Sequence, residues 1–281
     1  MNPVDFEHFA TLLKQRSGIE LAADKGYLLE SRLRAVAGTS GFADVAGLLK
    51  AIRTAPDERV VEAAIDAMTT NETFFFRDTT PFEHLKSLLP DLVRERRGEP
   101  VRIWCAACST GQEPYSIAML MEEEAAKLPG LKVDILGTDL SERCLQKARV
   151  GLYSQFEAQR GLTVQRLMKH FDQGPEGWKV KPHLQRQVRW RKQNLLGDFR
   201  ALGTFDVIFC RNVLIYFDRP TKSAILSRLA ERLSPNGKLL LGAAETIIGL
   251  TTAFQTVPGA PGLCARAGAG PTPQSPRAAA G

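Results

Sequence analysis

A chain of 281 residues with 44% hydrophobic and 24% charged side chains has the balance of a soluble globular protein, long enough for one large domain and a small one. Its apolar runs fall well short of the roughly 20 residues of a membrane span, and the start, MNPVDFEHFA, has neither the basic nor the apolar region of a secretory signal. The net charge of +6 is uneven: residues 1–70 hold 8 Lys/Arg against 10 Asp/Glu, while residues 160–200 hold 10 against 3. That basic stretch suits nucleic acid, an anionic membrane or an acidic protein, or it is a solvated face.

Residues 5–70 read as a small helical bundle. Phe6, Phe9, Leu12 and Leu13 share a helical face behind a candidate Asp5 cap, and further helices are predicted over 24–37, 42–52 and 57–68. TTNETFFFRD follows at 69–78, too polar at its ends for a core strand and too apolar for a loop. From residue 101 the runs VRIWCAA, VDILGTD, FDVIFCRN and GKLLLGAA alternate with helical stretches near 113–127, 141–149 and 220–233. Buried strands alternating with helices predict a doubly wound α/β sheet. Partial alternation within 176–193 reads as an inserted hairpin, and the Gly-, Ala- and Pro-rich tail from Ala265 is expected to be disordered.

The first strand leads into CAACSTGQEPYSIAM, a turn of small residues before a helix. It has one glycine, Gly111, so it matches neither a G-x-G-x-x-G loop nor a P-loop. Glu113 would repel phosphate there but suit a cation; a purely structural turn is equally consistent with the loop. Asp139 ends the second strand, where a carboxylate either accepts two ribose hydroxyls or caps the next helix. Together the two loops suit S-adenosylmethionine, a nucleoside with no phosphate, an ammonium and a sulfonium. Arg211, Asn212 and Tyr216 follow the third strand, at the edge where such sheets bind ligands, with a surface turn as the alternative. The five cysteines, an odd and scattered set, suit free thiols in a reducing cytoplasm. The CAAC pair reads as small core residues, with no histidine near enough to complete a metal site, and no metal is expected.

The combination of TTNETFFFRD, CAACSTGQEPYSIAM, GTDLSERCLQKARVGLY, NLL at 194–196 and FCRNVLIYF resembles the CheR family of chemotaxis receptor methyltransferases, in family order and over nearly the whole chain. The resemblance implies an all-α N-terminal domain (1–70) and an interdomain segment (71–100). It also implies a Rossmann-like methyltransferase domain (101–264) with a β-subdomain near 174–193, leaving 265–281 as the tail. It further implies S-adenosyl-L-methionine as cofactor, held by Asn71, Thr73, Arg77, Glu113, Asp139, Asn194, Leu195, Arg211 and Asn212, with Tyr216 and Arg77 nearest the chemistry. The implied product is a glutamate methyl ester on the cytoplasmic helical domain of chemoreceptors, with S-adenosyl-L-homocysteine left behind. The acceptor, with a reference pKa of about 4.3, is ionised at neutral pH and needs no general base.

Lys25, Arg32 and Arg34 would dock the receptor, although Ala35, Val36 and Ala37 follow where the best-known members carry further arginines. The stretch FDQGPEGWKVK is short in its first turn, so no tether through a receptor C-terminal pentapeptide is expected. A cytoplasmic monomer with no nucleic-acid partner and no membrane insertion completes the expectation. The alternative is a methyltransferase of RNA or DNA, prompted by the 160–200 basic stretch.

Overall fold

Hydrophobic side chains spaced four apart build the first unit of this computed structural model, which describes residues 2–268. Phe9 and Leu13 on α1 (Pro3–Ser17) meet Leu29 and Leu33 on α2 (Gly26–Thr39). Leu48 and Ile52 on α3 (Val45–Thr54) and Val61 and Ile65 on α4 (Glu58–Met68) complete the same core. Each pair lies one turn apart on a single helical face. The cap of α1 is Asn2, whose side chain accepts from Val4 N at 3.0 Å, and not Asp5. Asp5 lies inside the first turn, buried, where it suits the helix dipole and pairs with Arg53 at 2.5 Å.

After α5 (Thr80–Arg96) the chain alternates: β1 (Val101–Ala106), α6 (Gln112–Ala125), β2 (Val133–Asp139), α7 (Glu142–Val150). Then come β3 (Leu152–Tyr153), α8 (Gln155–Gln159), α9 (Val164–His170), β4 (Phe171–Gly174), β5 (Gly177–Val180) and α10 (Pro182–Gln185). The chain continues through β6 (Val188–Lys192), β7 (Phe205–Cys210), α11 (Arg219–Glu231), β8 (Leu233–Leu241), β9 (Phe254–Thr256) and β10 (Leu263–Arg266). Seven strands form one sheet in the order β6-β2-β1-β7-β8-β10-β9. From β6 to β8 neighbours are parallel, and β10 and β9 add antiparallel pairs. Every residue of β7 is buried, as a strand covered on both faces requires. The order reverses between β1 and β7, and the crevice this opens lies at the carboxyl ends of the strands.

The inserted hairpin differs from the expectation at 174–193. Val188–Lys192 belongs to the main sheet, parallel to β2. The small sheet runs β3-β5-β4 and begins at Leu152. Trp190 shows why: its ring lies over Gly137 of β2, where an added Cβ would stand 2.7 Å from it. Ala265 and Arg266, placed in the tail by the sequence reading, end β10; the tail beyond residue 268 lies outside the described residues.

Two contacts bring the helical unit against the sheet's crevice. Gly18, at φ 78°, ends α1 so close to Phe217 that a Cβ would sit 2.9 Å from the ring. Only glycine enters that left-handed turn without strain and leaves room for the ring. Lys14 also pairs with Asp218 at 2.8 Å, an exposed contact that contributes little alone.

Candidate functional site

The crevice is a cleft of about 920 Å³, counting the open space at its mouth. Its walls come from the loops after β1, β2, β6 and β7, from residues 69–73 and from the end of α1. All ten residues expected at the cofactor or the chemistry, from Asn71 to Tyr216, line it. The loop after β1 turns through Ala107 at φ 62°, Ser109 at φ 50° and Gly111 at φ 96° before α6 begins. A Cβ on Gly111 would lie 2.8 Å from Ala148 and 2.9 Å from Trp190, so this glycine allows the helix to approach its neighbours.

Asp139 is buried at the end of β2, with Oδ2 accepting from Ser109 N at 2.7 Å and Oδ1 from Ser141 N at 2.9 Å. It therefore ties the β1 and β2 loops together, while Ser141 caps α7. Each oxygen keeps a second lone pair, so the carboxylate can still accept a diol. Burial pushes its carboxyl above the usual range, and the amides of Ser141 and Ser109 oppose the shift.

Glu113 meets a partner that its sequence position did not suggest: Arg211 Nη1 donates to Oε2 at 2.8 Å. Burial pushes the Glu113 carboxyl up, and the Arg211 guanidinium opposes that rise. Arg211 also donates to Arg77 O at 2.7 Å and to Asp78 at 3.0 Å, and its buried Nε has no partner among the described residues. One guanidinium thus joins the loop after β7, the start of α6 and the interdomain segment.

That segment, residues 69–78, contains neither helix nor strand. Phe75 stacks edge-on against Tyr153 and Phe171 of the small sheet, and Phe76 packs on Phe82 of α5. Both belong to the sheet's core and neither enters the bundle's core, so the triplet fastens the segment to one unit. Phe74 is half-buried, with the Arg160 guanidinium 4.4 Å from its ring centroid. Phe76 at φ 50° and Asp78 at φ 54° mark the bends that turn the polar side chains toward the cleft. Asn71 holds Thr69 Oγ1 at 3.0 Å and Arg77 holds Glu72 O at 2.7 Å. Asn194 reaches across to Arg16 O at 2.6 Å, and Leu195 is buried beside it.

Glu245 is the residue the sequence reading missed. Its carboxylate accepts four backbone N–H groups: Asn212 at 2.8 Å, Val213 at 2.9 Å, Leu214 at 2.7 Å and Gly242 at 2.7 Å. It folds the loop that carries Arg211, Asn212 (φ 57°) and Tyr216. The only signal for it was a carboxylate following the fourth apolar run. Tyr216 ends a short 3-10 turn on the cleft wall, and its hydroxyl has no hydrogen-bond partner among the described residues.

The docking residues divide. Arg32 turns inward, donating to the carbonyls of Met68 and Thr69 and to Thr70 Oγ1, so its guanidinium fastens the end of α4. Lys25 and Arg34 are exposed. In the 160–200 stretch, Arg160, Arg166, Lys169, Arg189, Lys192 and Arg200 pair with carboxylates. Cys105 and Cys108 are buried free thiols, and burial pushes both well above the usual thiol range, the behaviour of core residues. No helix among the described residues is long and apolar enough to cross a membrane.

What the cleft offers is acceptors for a ribose and a buried carboxylate for a cationic group, without a phosphate cradle. S-adenosylmethionine needs that combination, and the chain falls in the class of methyltransferases that use it as cofactor. Within that class it belongs to the CheR methyltransferase family: residues 4–69 match the family's all-alpha domain and residues 71–263 its SAM binding domain. It is 43% identical over 265 residues to chemotaxis protein methyltransferase Cher2 of Pseudomonas putida, covering 92% of this chain and 96% of that protein. With chemotaxis protein methyltransferase 1 of Pseudomonas aeruginosa it shares 44% over 268 residues, covering 94% and 97%. The chemotaxis protein methyltransferase of Vibrio parahaemolyticus is 42% identical over 263 residues, covering 92% and 95%.

Proposed function

We propose that this enzyme methylates glutamate side chains on the cytoplasmic helical domain of chemoreceptors. The observation that carries the reading is the cleft at the sheet's switch point, formed by the conjunction of Asp139, the Glu113–Arg211 pair and the interdomain segment. Similarity to chemotaxis protein methyltransferases over nine-tenths of the chain supports the choice of substrate. When bound, the cofactor supplies a methyl group already activated by its sulfonium.

The protein's task is then positional. Asp139 accepts the ribose hydroxyls, and Glu113 attracts the cationic end while Arg211 keeps its carboxylate fixed. Asn71, Thr73 and Arg77 cover the cleft from the interdomain segment, and Asn194, Leu195 and Asn212 line its other walls. The Tyr216 hydroxyl, without a hydrogen-bond partner among the described residues, orients the reacting groups, and Arg77 has N–H groups left for the incoming carboxylate. No proton has to move, because the acceptor is ionised; good alignment alone can supply roughly 7–11 kcal/mol of the barrier. Lys25 and Arg34 dock the receptor helices.

The test is incubation with methyl-labelled cofactor and two substrates, receptor-bearing membranes and total RNA. Base-labile label on the receptor band is expected. Base-stable label on RNA, with none on receptors, would overturn the reading.

A further inference from the structure

Away from the cleft, three segments bring metal-ligand side chains together. Glu122 projects from the last turns of α6, His170 is the final residue of α9, and His183 lies on α10. One donor atom from each lies within 4.8 Å of the others. His183 Nε2 is 2.8 Å from Glu122 Oε2, and His170 Nδ1 is 3.8 Å from that same oxygen. His170 is wholly buried, yet neither ring nitrogen has a hydrogen-bond partner among the described residues. An imidazole taken out of water without a partner is costly and calls for a ligand.

We infer that Glu122, His170 and His183 form a divalent-cation site of the zinc type, which clasps the small sheet's flanking helices to α6. Bonds of about 2.0–2.2 Å in tetrahedral geometry put neighbouring donors roughly 3.3–3.5 Å apart, within the spread of 2.8 Å and 3.8 Å seen here. The neighbouring charges leave one oxygen for the cation. Lys169 sits 3.3 Å from Glu122 Oε1, and Arg166 occupies both oxygens of Glu123 at 2.8 Å. Glu122 Oε2 faces the two imidazoles, with His183 Nε2 in hydrogen-bond contact, and neither Lys169 nor Arg166 pairs with it.

The second nitrogen of His170 lies 3.8 Å from Glu123 Oε1, beyond hydrogen-bond distance. His183, 45% exposed, leaves the fourth position open to a water. Two imidazoles and a carboxylate select zinc, nickel or cobalt over magnesium or calcium. The ligands are too far apart in sequence, at 122, 170 and 183, to form a motif.

The experiment uses the full chain stripped with a chelator and titrated with zinc chloride by calorimetry. A parallel titration with cobalt chloride is followed by visible absorption, and thermal melting is recorded with and without zinc. One saturable equivalent is expected, with a rise in melting temperature and cobalt bands of a low-coordinate site. His183→Ala and Glu122→Gln should each weaken binding by more than the roughly tenfold that loss of an outer-shell partner costs. Both positions reach the surface, and circular dichroism of the variants checks that they fold. No saturable binding by the parent chain, or binding unchanged in both variants, would overturn the site.

Discussion

Replacing Glu245 by glutamine tests whether one carboxylate folds the catalytic loop. Oε2 accepts from Asn212 N and Gly242 N, and Oε1 accepts from Val213 N and Leu214 N. Whichever way the new amide sits, its NH₂ faces two N–H donors, so two of the four bonds are lost and the others lose their charge. Hydrogen bonds to a charged group are worth about 1.5–3 kcal/mol each. Because the site is half-buried and water can replace part of the loss, the net cost should be about 2–4 kcal/mol. That corresponds to a fall in melting temperature of roughly 5–15 °C for a domain of this size. Asn212, at φ 57°, loses the contacts that hold its strained backbone, so Arg211 and Tyr216 leave their places on the cleft wall. The assays are thermal melting by circular dichroism, calorimetric affinity for S-adenosylhomocysteine, and turnover on receptor membranes. Melting should drop as stated and turnover should fall by more than tenfold. A glutamine variant that melts and turns over like the parent would show that the amides find other partners and that Glu245 does not organise the loop.

Asp139→Ala should weaken cofactor affinity by one to two orders of magnitude, since a charged acceptor is worth about 1.5–3 kcal/mol; unchanged affinity by calorimetry removes it from the site. Tyr216→Phe should leave that affinity within a few-fold and lower turnover clearly; unaltered turnover makes Tyr216 a packing residue. Arg32→Ala should lower thermal stability, because it frees the carbonyls at the end of α4. Arg34→Ala should instead leave stability unchanged and weaken methylation of receptors most at low salt, where exposed charges act furthest. Methylation should survive removal of the receptor's last five residues, because β4 and β5 are joined by the tight turn Pro175–Glu176 and β4 offers an edge of only four residues. A large loss of rate on truncation would show that the tether exists.

Residue spacing alone was enough to find the four helices of residues 5–70, the strands β1, β2, β7 and β8 and the polar residues at their ends, but not α5, α8, α9 or α10. Helical spacing in residues 5–70 and the four apolar runs were enough for that, because burial periodicity is local and is written into consecutive residues. The positions of Asp139 and Arg211 were legible for a related reason, since a polar residue directly after a buried strand must emerge at the sheet's edge. Partners were not legible. Glu245 and three of the four amides it holds lie 31 to 33 residues apart in the chain, Arg32 and the carbonyls it caps lie 36 and 37 apart, and β6 pairs with a strand 53 residues earlier. Glu113 looked like a free carboxylate until Arg211 was beside it. The phenylalanines announced burial but not which core would receive them, and nothing in the sequence announced the grouping of Glu122, His170 and His183. Hydrogen bonds and ion pairs depend on separations of a few ångströms in space, and only the tertiary fold, by closing these long loops, sets them.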